Sequence, residues 1–328
     1  MEIKNSGYFH VATKGRKAIN NISVLEDDKG DTIFEEEGIE KEISTYYQSL
    51  FTSQQGDRTT TVQESISPCI SPEVNASLIH APTQKEMKNA CFAIHPDKAP
   101  GPEGFSASFF QANWATMGPH IIKEIQAFFS SGILPSKINH THVRLIPKIT
   151  SPKKVVDYRP IALCSVYYKI IAKLISKRLQ LVLQGIISEN QSAFVTKRAI
   201  LDNVLITHET LHYLKTSDAQ VRCYMAVETD MNKAYDRIEW DFIRLVLERM
   251  GFHGQWINWI MQCIITVSYS YLLNGTAKGL VIPERGIKQE DPLSPYIFIL
   301  CGEVLSGLCN KAQQKGKLEG IRVSLNKG

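Results

Sequence analysis

The chain has no run of about 18 apolar residues, and its first ten residues, MEIKNSGYFH, hold no apolar core of the kind found in a secretory signal. A membrane-spanning helix and a secretory signal are therefore not expected. The seven cysteines are scattered, at positions 69, 91, 164, 223, 263, 301 and 309, and form no C-x-x-C pair. This spacing argues against a zinc site or a disulfide framework and predicts reduced, mostly buried thiols in an intracellular protein.

Acidic residues are nearly missing from residues 137–198, where 12 Lys and Arg stand against only Asp157 and Glu189. Residues 1–100 show the opposite balance, with 10 basic and 15 acidic residues. The basic segment is either an ordinary solvated face or a surface for phosphates, since Lys and Arg can replace the counterions along a nucleic-acid backbone. Its motifs favour the second interpretation.

Helices separated by a few strands are predicted along the chain, which favours an α+β fold over a regular βαβ array. The 328 residues are enough for one large domain or two smaller ones. Residues 52–61 are polar and predict a linker, and residues 97–104 predict a loop. Strands are expected at 143–148 and 224–229, with a hairpin around Asn274-Gly275. Helices are expected at about 39–50, 83–94, 106–116, 118–131, 165–183, 199–214, 238–250, 254–265 and 293–310.

Asp230 follows the apolar run 224–229, which is predicted to be a buried strand. A carboxylate at a strand end is well placed to bind one of the two divalent ions, about 3.5–4 Å apart, that nucleotidyl transfer uses. The commoner role of such an aspartate is to cap a helix. That role fits Asp236 better, because Asp236 and Glu239 have the spacing of a capping box. We therefore predict that Asp230 is a metal ligand and that Asp236 is mainly a cap.

Two segments carry a specific resemblance. TDMNKAYDRIEW, residues 229–240, resembles motif A of non-LTR (LINE-type) retrotransposon reverse transcriptases of the kind abundant in plant genomes, and GIKQEDPLSPYIF, residues 286–298, resembles their motif B. Residues 8–51 resemble the connector that follows the endonuclease in these polyproteins. Four further segments resemble the upstream fingers motifs, in the family's order and spacing: DKAPGPEGF, RLIPK, DYRPIALCSVYYKIIAKLISKRL and ISENQSAFVTKRAILDNVLI.

The resemblance implies a right-hand polymerase with helix-rich fingers and a palm. It places a connector at residues 1–80 and the reverse transcriptase domain at residues 81–328. By matched position, Asp230 and the backbone carbonyl of Met231 would bind Mg²⁺. Tyr235 would pack under the sugar and reject a 2′-hydroxyl, although it could also be a core aromatic. Gln289 would lie beside the nucleotide sugar.

The resemblance also implies cationic contacts. Lys148 and Arg159 would grip the triphosphate of the incoming deoxynucleotide, a task suited to charge-assisted hydrogen bonds. The helix at 165–183 would lie near the RNA template and DNA primer, with its basic side chains facing outward. Those side chains are Lys169, Lys173, Lys177 and Arg178. A location in the nucleus or cytoplasm would suit such a protein.

Three positions depart from the family pattern. The paired aspartate of motif C is not found, because the only Asp-Asp pair, Asp27-Asp28, lies in a polar stretch upstream of motif A. Glu290 stands where the family usually has glycine, and Glu228 stands where it usually has a non-acidic residue. We therefore expect a C-terminally truncated palm that lacks the motif C hairpin and the thumb, and a catalytically incomplete enzyme. The alternatives are a non-catalytic nucleic-acid-binding remnant and a degenerate gene fragment.

A motif of another class occurs at residues 208–212, where His208, Glu209 and His212 form a literal H-E-x-x-H. On a helix this spacing puts two imidazoles on one face, as in zinc proteases. No H-x-x-G-x-x-H extension follows, and a third ligand, Glu228 or Glu239, would have to come from the motif A segment. The surrounding apolar spacing suits an ordinary amphipathic helix better.

Overall fold

The computed structural model describes residues 21–216 and 225–318. Within these ranges the fold is helix-rich with a small mixed sheet, which confirms the α+β expectation. None of the described helices combines the length and apolar character needed to cross a membrane. The helices are α1 Glu36–Phe51, α2 Thr59–Ser65, α3 Pro72–Ile79, α4 Gln84–Phe92, α5 Ala107–Ala112, α6 Trp114–Ser131, α7 Ser136–Asn139, α8 Val166–Ile186, α9 Ile200–Thr216, α10 Ala234–Arg237, α11 Trp240–Met250, α12 Gly254–Ile265 and α13 Ser294–Gln314.

Four strands form the main sheet in the order β4-β3-β5-β6, and two short strands, β1 Leu25–Glu26 and β2 Thr32–Ile33, pair separately. Strand β3 pairs antiparallel with β4 and parallel with β5, so both of its edges are occupied. Strands β5 and β6 form the predicted hairpin, in which Asn274 and Gly275 have φ values of 52° and 98°, as a type I′ turn requires. The strands of the main sheet are β3 His140–Pro147, β4 Tyr158–Cys164, β5 Ser268–Leu273 and β6 Thr276–Val281.

Helix α1 covers one face of this sheet. Successive side chains of β3 are alternately buried and partly exposed. The buried Val143 and Leu145 share a core with Ile39 and Ile43 of α1. Tyr47 stacks on Tyr271 of β5 with ring centroids 4.7 Å apart. Helix α1 therefore packs against the sheet, whereas Val62 of α2 and Leu78 of α3 belong to the helical core. The division of the chain at residue 80 stays a prediction.

A second core lies among the helices and is centred on α8. The apolar stripe of α8 is buried there: Ile170, Ile171, Leu174, Ile175 and Leu179. Helix α12 contributes the indoles of Trp256 and Trp259 to the same core. Four of the six cysteines in the described ranges are buried as well. Several predicted helix boundaries hold closely, and α12 begins at Gly254 and ends at Ile265. The helices predicted at 106–116 and 118–131 divide at Asn113 instead, so that boundary is wrong. The linker predicted at 52–61 is wrong from Thr59 onward, where α2 begins, and α3 was not predicted.

The strand predicted at 224–229 is wrong for residues 225–229, which lie exposed and outside any helix or strand, while residue 224 lies outside the described residues. A strand is stable only when its backbone groups pair with a neighbour. In the sheet that the structure describes, no strand pairs with this apolar run. The apolar pattern alone was therefore insufficient to make it a strand.

Candidate functional site

A cleft of about 780 Å³ opens where the two motif segments meet α8, β4 and two loops. Five of its side chains are basic and two are acidic. Arg159, Tyr235 and Gln289, which come from three separate motifs, all line it. The other lining residues are Ala93, Ile94, His95, Lys98, Lys169, Lys173, Phe194, Lys233, Ala234, Glu290, Asp291, Pro292 and Pro295.

Backbone hydrogen bonds hold the motif A and motif B segments together at the floor of the cleft. The amide of Ile287 donates to the carbonyl of Tyr235, and the amide of Gly286 donates to the carbonyl of Ile238, both at 2.8 Å. Gly286 has a φ of 88°, and a Cβ there would come within 2.8 Å of the carbonyl oxygen of Asp236. Only glycine permits this approach. The Tyr235 ring stacks on Phe298 with centroids 4.9 Å apart, so its position depends on both segments.

Asp236 is not a helix cap, and the predicted capping box is wrong. It lies in the short helix α10, while the N-cap of α11 is Glu239, whose side chain makes no capping bond. The buried carboxylate of Asp236 instead accepts a hydrogen bond of 3.2 Å from Nε2 of Gln289. Burial raises the pKa of Asp236, an effect opposed by the Gln289 bond and by Lys233 and Lys148. The carboxylate of Asp236, next to the cleft, is thus positioned by Gln289, which lies 53 residues further along the chain.

Lys148 and Asp230 do not line the cleft. Lys148 is exposed just after β3, where its Nζ donates to the carbonyl of Val156 at 2.9 Å. It lies near enough to Asp236 for its charge to oppose the rise that burial causes in the pKa of that carboxyl. Asp230 is exposed in an irregular segment, and Met231 lines a different cavity of about 670 Å³.

These positions do not assemble a magnesium site. Within residues 21–216 and 225–318, no group of three or more His, Cys, Asp or Glu side chains is placed to hold a metal ion. Hard cations such as Mg²⁺ need several oxygen ligands in a near-octahedral arrangement. Asp230 and the carbonyl of Met231 could contribute to such a set, but the described carboxylates do not complete it.

The basic face predicted for α8 divides into two parts. The outward orientation is wrong for Lys169 and Arg178, which are both buried. Helix α8 contacts α3, α4, α6, α7 and α12, so only a narrow strip stays free for exposed side chains. Lys169 donates to the carbonyl of Ala99 at 3.1 Å and lines the cleft, where half-buried Lys173 also lies. Lys177 is exposed and does not reach the cleft.

Arg178 has a structural partner. Its guanidinium donates to the carbonyls of Leu78 and His80 at the end of α3 and forms an ion pair of 3.3 Å with Glu86 of α4. The last carbonyls of a helix have no partner within the helix, and Arg178 supplies one here. Burial lowers the pKa of Arg178, partly offset by Glu86. This side chain joins three helices and is not available to a nucleic acid.

The sequence model of the family described as "Reverse transcriptase (RNA-dependent DNA polymerase)" matches residues 151–323, more than half of the chain. The chain belongs to the reverse transcriptase family.

The curated relatives are proteins of non-LTR retrotransposons and of a plant organelle. A 149 kDa transposon TX1 protein of Xenopus laevis is 26% identical over 310 residues, which is 94% of this chain and 23% of that protein. The Pol polyprotein of the type-2 retrotransposable element R2DM of Drosophila melanogaster is 27% identical, over 66% of this chain and 20% of its own length. A mitochondrial protein of Arabidopsis thaliana is 64% identical over 56 residues, 17% of this chain and 46% of its own length. The chain thus spans less than half of each relative.

The reverse transcriptase cleft contains residues that the motif comparison did not assign. Lys98, Lys233 and Phe194 line it. Lys233 has a φ of 55°, and its ammonium lies 4.6 Å from the ring centroid of Tyr46 and donates to the Tyr46 hydroxyl. Each of these three residues lies within a segment that resembles a family motif, so the sequence did point to its neighbourhood. Only the folded chain shows that they face one cleft.

Glu290, the departure from the family's glycine, has the backbone conformation that glycine favours. Its φ is 68°. Left-handed backbone costs a non-glycine residue roughly 1–2 kcal/mol. The carboxylate of Glu290 lies 3.7 Å from Nζ of Lys98, and both side chains are about half exposed. The reverse transcriptase therefore places a negative charge among the cations of its cleft.

The H-E-x-x-H residues lie on the exposed surface of α9, away from the cleft. His208, Glu209 and His212 are all exposed. Neither Glu228 nor Glu239, the suggested third ligands, joins them in a metal-binding group within the part of the chain that the structure describes. Glu239 is instead engaged with Ser53 and Arg285.

Proposed function

We propose that this chain is the RNA-directed DNA polymerase domain of a LINE-type retroelement. Residues 1–80 would be a connector, and residues 81–328 would form the fingers and the first part of the palm. The observation that carries the proposal is the shared cleft of Arg159, Tyr235 and Gln289, because these residues come from three motifs of the family and meet beside Lys169 and Lys173.

The chemistry of the cleft suits an RNA template, a DNA primer and a deoxynucleoside triphosphate. Its cations can bind phosphate oxygens through charge-assisted hydrogen bonds, and Arg159 can do so with two donors at once. Burial lowers the pKa of Lys169 and Lys173, and a bound phosphate would favour their charged forms. Tyr235, stacked on Phe298, would form a rigid floor under the sugar.

The family chemistry requires divalent ions, which activate the primer hydroxyl and neutralise the triphosphate. Asp230 and the carbonyl of Met231 would supply ligands, but both stand away from the cleft that holds Tyr235 and Gln289. We therefore infer that the 328-residue polypeptide binds nucleic acid without extending a primer. In this second reading it is a non-catalytic nucleic-acid-binding protein, and the exposed position of Asp230 favours it.

Binding is tested with a labelled RNA–DNA primer–template and the purified polypeptide at several salt concentrations. We expect affinity to fall steeply with salt, since counterions are released from the backbone. Arg159→Gln and Lys173→Gln should each weaken binding and reduce the salt slope by about 1 per lost phosphate contact. Lys41→Gln is the matched control, because Lys41 is exposed and does not line the cleft. Equal binding by all four proteins would overturn the proposal.

Catalysis is tested by primer extension with Mg²⁺ and deoxynucleotides. We expect no extension by the polypeptide. Extension that disappears in Asp230→Ala would show that a complete metal site forms and would refute the non-catalytic reading.

A further inference from the structure

The loop that follows α8, residues 187–198, is held rigidly at its base. The guanidinium of Arg198 donates to four backbone carbonyls, those of Gln184, Ile187, Ser188 and Gln191. The amide and hydroxyl of Ser188 both donate to the carboxylate of Glu303 on α13 at 3.0 Å. Because four carbonyls accept hydrogen bonds from the one guanidinium of Arg198, the position of the loop tip is fixed.

The tip carries Phe194, whose backbone and side chain are both unusual. Its φ is 60°, a left-handed conformation that a bulky residue rarely adopts, and 57% of the residue is exposed. Such strain is found where the surrounding structure imposes a conformation for function. The ring meets Tyr296 edge to face, with centroids 6.3 Å apart and planes at 73°. The Tyr296 contact leaves more than half of Phe194 exposed.

Phe194 shares the cleft with Lys98, Lys169 and Lys173. An aromatic ring next to a row of cations is the combination that binds single-stranded nucleic acid, since the cations follow the phosphates and the ring stacks on a base. Stacking tolerates any sequence, because every base has a π-face. Tyr235 and Gln289 lie on the same cleft, so a strand bound there would pass from the proposed nucleotide site to Phe194.

We propose that Phe194 is a stacking platform for an unpaired base of the template strand. This inference rests on the proposed function, because it assigns one contact within the proposed nucleic-acid cleft. Arg198 and Glu303 would be the positioning residues that keep the ring in the cleft.

The experiment measures binding of two labelled single strands, each about ten nucleotides long, one with bases and one abasic. Phe194→Ala should weaken binding of the strand with bases by about 5- to 100-fold, the range found for loss of one stacked base. Binding of the abasic strand should not change. Phe34→Ala is the control, because Phe34 is 73% exposed and lies outside the cleft.

Phe194→Trp provides a direct signal that does not depend on the alanine variant. Its added indole fluorescence should be quenched by the strand with bases and not by the abasic strand, and its affinity should equal or exceed that of the unchanged protein. Absence of this quenching at saturating strand would overturn the stacking role. Equal weakening of both strands by Phe194→Ala would also overturn it, because the residue would then act through the fold.

The two proposals fail in different ways. If the unchanged protein binds neither strand, the proposed function is wrong. If it binds both and Phe194→Ala binds the strand with bases equally well, the cleft binds nucleic acid without the proposed stacking.

Discussion

Arg285 and Glu239 form a buried ion pair between the residue before motif B and the motif A segment. Nη1 of Arg285 lies 3.1 Å from Oε1 of Glu239, and the two side chains are 7% and 9% exposed. Arg285 also donates to the carbonyl of Leu50 at 2.9 Å. Ser53 and the amide of Gln54 donate to the same carboxylate. We predict that Arg285→Met destabilises the protein strongly, because it leaves a buried carboxylate without its cation.

Removing one partner of a buried ion pair costs about 3–5 kcal/mol. Ser53 and Gln54 would still donate to Glu239, so we expect a value near the lower end, about 3 kcal/mol. Lys278→Met is the matched control. Lys278 lies 3.4 Å from Glu36, but these side chains are 35% and 56% exposed. Solvent screens such a pair, and its loss should cost less than about 1 kcal/mol.

The assay is urea unfolding followed by circular dichroism, with the free energy of unfolding extrapolated to water. The double variant Glu239→Gln with Arg285→Met leaves no unpaired buried charge. Its loss in free energy of unfolding should therefore be smaller, by about 1–3 kcal/mol, than the sum of the losses of the two single variants. An Arg285→Met loss as small as that of Lys278→Met would refute the reasoning. It would mean that water reaches the pair and replaces the lost partner.

Three further predictions concern acid stability, the cleft and zinc. Burial raises the pKa of Glu239, but hydrogen bonds from Ser53, Gln54 and Arg285 outweigh it and leave the pKa below the ordinary 4.5. The stabilisation from the Glu239 carboxylate is therefore present above pH 4.5 and is lost as pH falls through the pKa of the folded state. The free energy of unfolding of Glu239→Gln should not show this loss in acid. An acid-unfolding profile equal to that of the unchanged protein would contradict the lowered pKa of Glu239. Glu290→Gly should tighten oligonucleotide binding by about fivefold at low salt, because one exposed charge contributes about 1 kcal/mol. If a binding titration shows no tightening, the carboxylate does not face the bound strand. His208→Ala should leave the zinc content of purified protein unchanged by mass spectrometry of metals, and loss of stoichiometric zinc would restore the H-E-x-x-H interpretation.

Helices, the hairpin and the family were accessible from the sequence because they depend on local patterns. Helix α12 begins and ends where its apolar spacing and the preceding turn predict. The Asn274-Gly275 turn needs only two residues that accept positive φ. Hydrogen bonds within a helix or a tight turn join residues that are close in the chain, so a short window of sequence contains most of the information.

Side chains that depend on distant partners were decided by the tertiary structure. Lys169 and Arg178 lie on a helix that the sequence predicts, yet residue spacing does not show how many other helices surround it. Asp236 has the spacing of a cap, but Gln289 offers it a partner from another segment.

The sequence by itself determined most of the long helices, the hairpin and the family to which the chain belongs. Tertiary packing alone decided that Arg159, Tyr235 and Gln289 share a cleft with Phe194, and that residues 225–229 stay outside the sheet. The physical reason is that burial and strand pairing are properties of two surfaces that meet. Whether a segment forms a strand, or a charged side chain is buried, depends on the partner that packs against it. The local pattern of residues does not contain that partner.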